Sequence, residues 1–275
     1  MKFFIKKLLV LFFLSTAFIS TAQQSFFKGN NNYVAPPPPP FQAPPITTGE
    51  VTNGLLLYLN AGNNVSYSGN GNTWYDLSGN NNHGTLRANG SGTSPIFQNG
   101  SFAFNGISSY VSIESSVIPN TGSFTVSTWA KIPPGAFIEM INTRNPANRS
   151  TGFLLTSANN NIRAQIINPT ENHYQIQGTH STIQDDTWHL ITITFNESTS
   201  TMTGFVDNYL VQSHSIAPGS LVGQGYFSIG WDYAWNAGGL EFYRGYVATV
   251  SVYNYALSSS DVTTNFNAVK TNFGL

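Results

Sequence analysis

The chain contains no cysteine. This one absence removes disulfides, thiolate metal sites, cysteine nucleophiles and lipid attachment through a cysteine. Charge is scarce, at 8% of residues, so solubility rests on the many Asn, Ser, Thr and Gly side chains. Clustered cations are missing as well. Three of the eleven basic residues, Lys2, Lys6 and Lys7, fall in the first seven positions, and the eight that remain face twelve acidic ones. A phosphate backbone is held by grouped Lys and Arg, so nucleic acid and anionic membrane are excluded as partners. No apolar run after the N-terminal one approaches the roughly 20 residues that span a bilayer, which excludes stable membrane insertion. The chain also lacks His-Glu-x-x-His and Gly-x-Ser-x-Gly, and its five histidines are scattered singly.

What is present begins with a secretory pattern. Lys2, Lys6 and Lys7 form a basic start, Leu8 to Ile19 a short apolar stretch, and Ser20-Thr21-Ala22 the small residues a signal peptidase needs. Residues 1–22 therefore read as a signal peptide, and the product as secreted or extracellular and associated with a cell surface. Residues 23–50 carry Pro36 to Pro40 and then Pro44 and Pro45. Consecutive prolines fix φ and remove backbone donors, so this stretch reads as an extended linker.

Residues 51–275 are long enough for one domain with its own core. Runs rich in β-branched and aromatic residues recur at 55–59, 101–104, 110–113, 124–132, 190–195, 202–206, 226–231 and 246–253. Asn-Gly pairs at Asn53, Asn70, Asn89, Asn99 and Asn105 punctuate the first half, and this pair suits turns that need positive φ. Only the stretch after Leu257-Ser258-Ser259-Ser260-Asp261 has helical spacing, at Val262, Phe266 and Val269. The spacing predicts an all-β sandwich or barrel with one short C-terminal helix, and it excludes parallel βαβ folds.

An ordered set of motifs carries a family likeness. Gly54-Leu55-Leu56-Leu57-Tyr58-Leu59 is followed by Trp74-Tyr75-Asp76-Leu77-Ser78-Gly79 and by Phe104-Asn105-Gly106. Then come Phe124-Thr125-Val126-Ser127-Thr128-Trp129, Trp188-His189, Val206-Asp207-Asn208, Arg244-Gly245-Tyr246-Val247 and Val252-Tyr253-Asn254-Tyr255-Ala256-Leu257-Ser258. Together they resemble the laminin G-like group of the concanavalin A-like lectin and glucanase superfamily. The resemblance implies a jelly-roll sandwich of two antiparallel sheets with about a dozen strands. It also implies ligand contacts in rim loops or on a concave face, and often one calcium ion.

Glycosidases of this superfamily place an acid and a nucleophile about 5 Å apart. Residues two apart on a strand share a face, yet the second residue after Glu139 is Ile141 and that after Glu241 is Tyr243, so neither stretch supplies the pair. Convergence of carboxylates from distant strands stays open. Asp76-Leu77-Ser78-Gly79-Asn80 starts like a calcium loop, but Asn81 and Arg87 stand where an EF-hand needs Gly and Glu. Asp76 is thus the metal candidate, with an Asx-type turn as the simpler role. Asp185 and Asp186 lie in a turn, and His189 reads as structural because no partners are visible beside it.

For ligand contact the richest stretch is Trp231-Asp232-Tyr233-Ala234-Trp235-Asn236-Ala237-Gly238-Gly239. Aromatic faces stack on sugar rings while acids and amides bond the hydroxyls, so Trp231, Asp232, Tyr233, Trp235 and Asn236 are the candidate ligand-binding residues. Trp231 fits equally well as a core-capping residue, whereas Trp129 and Trp188 lie in alternating apolar runs and are expected in the core. The expected function is a non-catalytic module that binds glycans or glycoproteins in adhesion. The alternatives are a structural subunit of a virion or surface appendage, with self-association, and after that a glycosidase-like enzyme.

Overall fold

A computed structural model describes residues 49–135, 138–144, 151–168, 173–216, 226–232 and 241–275. The segments read as signal peptide and most of the linker lie outside them. Among the described residues, sixteen strands form two antiparallel sheets of eight, followed by an α-helix and a 3-10 turn.

The first sheet has strand order β14-β13-β12-β7-β16-β5-β4. These are β14 (Tyr209–Ser215), β13 (Thr201–Val206), β12 (Trp188–Asn196), β7 (Phe124–Lys131), β16 (Arg244–Tyr253), β5 (Ser101–Asn105) and β4 (Ile96–Gln98). One edge of the long β16 lies on β7, and the other is shared end to end by β5 and by β1 (Leu55–Asn60). The second sheet runs β11-β10-β9-β8-β15-β6-β3-β2. Its strands are β11 (His173–Gly178), β10 (Asn161–Ile167), β9 (Gly152–Ala158), β8 (Ile138–Asn142), β15 (Phe227–Ile229), β6 (Ser109–Ile113), β3 (Gly84–Ala88) and β2 (Thr73–Trp74).

Strand alternation sends every second side chain between the sheets. Phe102, Phe104, Val126, Ile191, Ile193 and Val247 from the first sheet meet Val111, Ile113, Ile141, Phe153, Leu155 and Ile229 from the second in one core. Each such large side chain, taken out of water, stabilises the fold by roughly 1.5–3 kcal/mol. The alternate residues of the first sheet, Trp129, Leu190 and Ala248, pack outward instead, beneath Phe266 and Val269 of α1 (Ser259–Val269).

Turn chemistry follows the sequence. All five Asn-Gly glycines have positive φ, and in the β4–β5 hairpin Asn99 (49°) and Gly100 (72°) both do, as a two-residue turn between twisted strands requires. At Gly54, with φ of 69°, an added Cβ would also meet the Asn254 side chain at 2.4 Å. The helix opens with a capping box: Ser258 Oγ accepts from the Asp261 N–H, and the Asp261 carboxylate accepts from the Ser258 N–H.

Trp188 departs from expectation. It sits on the outer face of the first sheet, opposite Lys131, and is half-buried beside the Phe273 ring. Trp188 shares its side of β12 with Leu190, which faces the C-terminal helix, whereas Ile191, Ile193 and Phe195 on the other side enter the core between the sheets. No described helix is long and apolar enough to cross a membrane.

Candidate functional site: an acidic and aromatic pole

One end of the second sheet gathers most of the chemistry. β15 and β8 are neighbours, and the Gly230 N–H donates to the Met140 carbonyl just beyond the paired residues. The chain then forms an isolated bridge from Trp231 to Phe242, so that the segment between them starts and ends at one place. The Trp231 ring stacks parallel to Phe242 at 5.3 Å between centroids and meets Tyr110 at 4.6 Å. Asp232 is buried, and its Oδ2 accepts from Arg144 Nη1 at 2.7 Å across 88 residues of chain. Breaking such a buried pair by removing one partner costs about 3–5 kcal/mol.

Trp231 and Asp232 therefore brace the base of this segment. Trp231 is 8% exposed, in line with its core-capping alternative, and Asp232 is 2% exposed with Arg144 as its partner. Tyr233, Trp235 and Asn236 lie outside the described residues.

The pole also holds a carboxylate cluster that spacing along a single strand does not reveal. A bulge between Glu139 and Ile141 puts Met140 and Ile141 into the core and turns Glu139 to the outer face, where it is 3% exposed. Asp232 and Glu241 lie near enough to act on its charge, and its buried Oε2 has no hydrogen-bond partner. Burial pushes the Glu139 carboxyl well above the usual carboxylate range, and the Asp232 and Glu241 charges push it further.

Elsewhere, Asp76 is an internal hub. Its Oδ1 accepts from the N–H groups of Tyr58 and Ser78 (both 2.9 Å), and its Oδ2 from Ser78 Oγ (2.8 Å) and the Asn82 N–H (3.0 Å). Four donors aimed at one carboxylate do not fit a calcium ion, which needs those same lone pairs. Among the described residues no group of three or more His, Asp or Glu side chains is arranged to hold a metal.

His189 has the partners that its sequence context hides. Nδ1 lies 3.1 Å from Asp207 Oδ2, and Nε2 lies 3.1 Å from Thr187 Oγ1 and 3.4 Å from Asp185 Oδ1. Burial alone would lower its pKa, but Asp207 and then Asp185 outweigh that and raise it. Asp186 pairs with Lys131 at 3.4 Å. These turn acids are thus used within the protein.

Two packed antiparallel sheets with an aromatic cluster around Trp231 define a β-sandwich and not a particular chemistry. Residues 105–263 match the laminin G-like family of the concanavalin A-like lectin/glucanases superfamily, and the chain belongs to that family. No curated protein matches the chain at a significant level. Among solved structures it is similar to the receptor-binding domain of botulinum neurotoxin C/D mosaic serotype, with 15% identity, 79% of this chain and 52% of that one covered, and a TM-score of 0.59. The binding domain of Paraclostridial Mosquitocidal Protein 1 is alike at 17% identity, 78% and 52% coverage and a TM-score of 0.58. So is the binding domain of botulinum neurotoxin DC, solved in complex with rat synaptotagmin II, at 15% identity, 80% and 52% coverage and a TM-score of 0.58. The chain spans about half the length of these structures, and at such identity the likeness is one of fold.

Proposed function

We propose that the chain is a secreted, non-catalytic recognition module that binds a glycan or glycoprotein. The observation that carries this reading is the braced base at Trp231, Asp232 and Phe242. It fixes both ends of a segment whose sequence offers Tyr233, Trp235 and Asn236, rings and an amide suited to a sugar. Membership of a lectin and glucanase superfamily supports it, as do neighbours that are themselves binding domains.

The converging carboxylates favour a second reading, glycoside hydrolysis, which we set aside on geometry. Glu139 is only 3% exposed, whereas a glycosidic bond must reach between two carboxyl groups about 5 Å or more apart. In this reading the acid cluster stiffens the base of the binding segment. A glycan array followed by titration tests the proposal: Tyr233→Ala and Trp235→Ala should each weaken binding about tenfold while leaving the melting temperature unchanged. Release of reducing sugar from any bound glycan would replace binding by hydrolysis.

A further inference from the structure

A row of aromatic rings on the outer face of the first sheet continues beyond the part that the C-terminal helix covers. Trp129 lies under Phe266 and Phe273, with Phe273 stacked on it at 4.0 Å. Phe273 also meets Trp188 at 5.2 Å, and Trp188 meets Tyr246 at 6.5 Å. The helix and the single 3-10 turn after it (Lys270–Phe273) end there, so Trp188 and Tyr246 stay half-buried at the surface. Two open pockets of about 260 and 320 Å3 share Tyr246 in their linings, as two lobes of one trough; the larger falls at the lower end of small-molecule sites, roughly 300–1,000 Å3.

Polar groups of both signs ring these two aromatic faces. Lys131 Nζ stands 5.2 Å above the Tyr246 ring and is tied to the exposed Asp186. Exposed Gln98 lines one lobe and exposed Arg244 the other. Trp188 and Tyr246, the latter with the Lys131 ammonium over its ring, are edged by an amide, a guanidinium and a carboxylate, a set that complements a pyranose. Such a ring has one apolar face and hydroxyls around its rim that both donate and accept. A peptide anchored by apolar side chains would need a deep apolar pocket, and neither lobe is one.

We propose that this trough is a saccharide-binding subsite for a chain of at least two sugar rings, one on each side of Tyr246. It rests on the glycan-binding reading above and adds a site on the opposite sheet. Only Tyr243 and two flanking residues separate Phe242, at the braced pole, from Tyr246, so one segment of chain supports both places.

The test is a glycan array of neutral and uronate-containing oligosaccharides with the full chain, followed by calorimetric titration of the best-bound oligosaccharide. Tyr246→Ala should weaken binding at least tenfold and Gln98→Ala severalfold, whereas Tyr246→Phe should bind like wild type because the ring is kept. Gln98 is exposed, so its variant reports on binding without a change in melting temperature. Stronger capture of uronate oligosaccharides, lost in Arg244→Ala, would assign the carboxylate to the Arg244 lobe. Binding that survives Tyr246→Ala and Gln98→Ala but is lost in Tyr233→Ala and Trp235→Ala would overturn the trough and leave the module a lectin. A wild-type protein that captures no glycan would overturn both.

Discussion

Truncating Trp129 to alanine should unfasten the C-terminal helix. The side chain is 2% exposed, under Phe266 and Phe273 and beside Leu190 and Ala248. A buried tryptophan takes roughly 200 Å2 out of water. At about 25 cal/mol per Å2 this amounts to ~5 kcal/mol. Phe273 is only half-buried and can settle into part of the space, so the expected cost is ~3–5 kcal/mol. For a domain of about 225 residues, that lowers the melting temperature by about 6–20 °C. The assay is urea and thermal melting of Trp129→Ala, Phe266→Ala and the double variant. The double variant should cost less than the two singles together, because both remove the same ring contact. A loss below about 1 kcal/mol, or strict additivity, would show that the helix is held by something else.

Asp76→Ala should destabilise the protein by about 3 kcal/mol or more, equally with calcium and with a chelator, because it strips four donors of their acceptor. A calcium-induced rise in melting temperature that this substitution abolishes would instead mark Asp76 as a ligand. The raised pKa of His189 means that the folded state binds its proton more tightly than the unfolded one. Its contribution is therefore complete below the ordinary histidine value of about 6.5 and is lost as pH rises through the folded value. Urea melts from pH 5 to 9 should show that decline, and Asp207→Asn should flatten it. Glu139 is also raised, so wild type loses stability as pH climbs above the ordinary glutamate value. Glu139→Gln should lack this slope, matching wild type in acid and exceeding it at neutral pH; equal slopes would mean that Glu139 ionises normally. A protein beginning at Gly49 should melt cooperatively, since Glu50 receives the Tyr58 hydroxyl and Val51 N–H donates to Asn265 Oδ1. A non-cooperative melt would move the boundary upstream.

The fold was legible where burial and turn chemistry agreed. The central strands β7, β12 and β16 announce themselves by apolar runs, the five Asn-Gly pairs all sit at turns, and the Ser258–Asp261 spacing is that of a capping box. The strands β10 and β11 escaped notice because their outward residues are amides and a charge. In β10, Ile162, Ala164 and Ile166 enter the core while Arg163 and Gln165 alternate between them, so polarity masks a sound period of two. Glu139, Asp232 and Glu241 could not be found by spacing along one strand, because a bulge and a sheet neighbour bring them together. Trp188 was misassigned because it shares its parity with Leu190 on the outer face, whereas the alternation of Ile191, Ile193 and Phe195 belongs to the core face.

The pairing of β1 with β16 also has a mechanical consequence. The Val51 carbonyl accepts from Tyr253 Oη, and Leu55 of β1 lies opposite Tyr253 at the end of β16. Tyr246 lies near the other end of β16, some 20–25 Å away at about 3.3 Å per residue. Load applied between residue 51 and a ligand held at Tyr246 would pull β1 and β16 in opposite directions along their shared ladder. The hydrogen bonds from Leu57 to Asn60 would then resist together in shear instead of opening one after another, a geometry suited to a tether under flow.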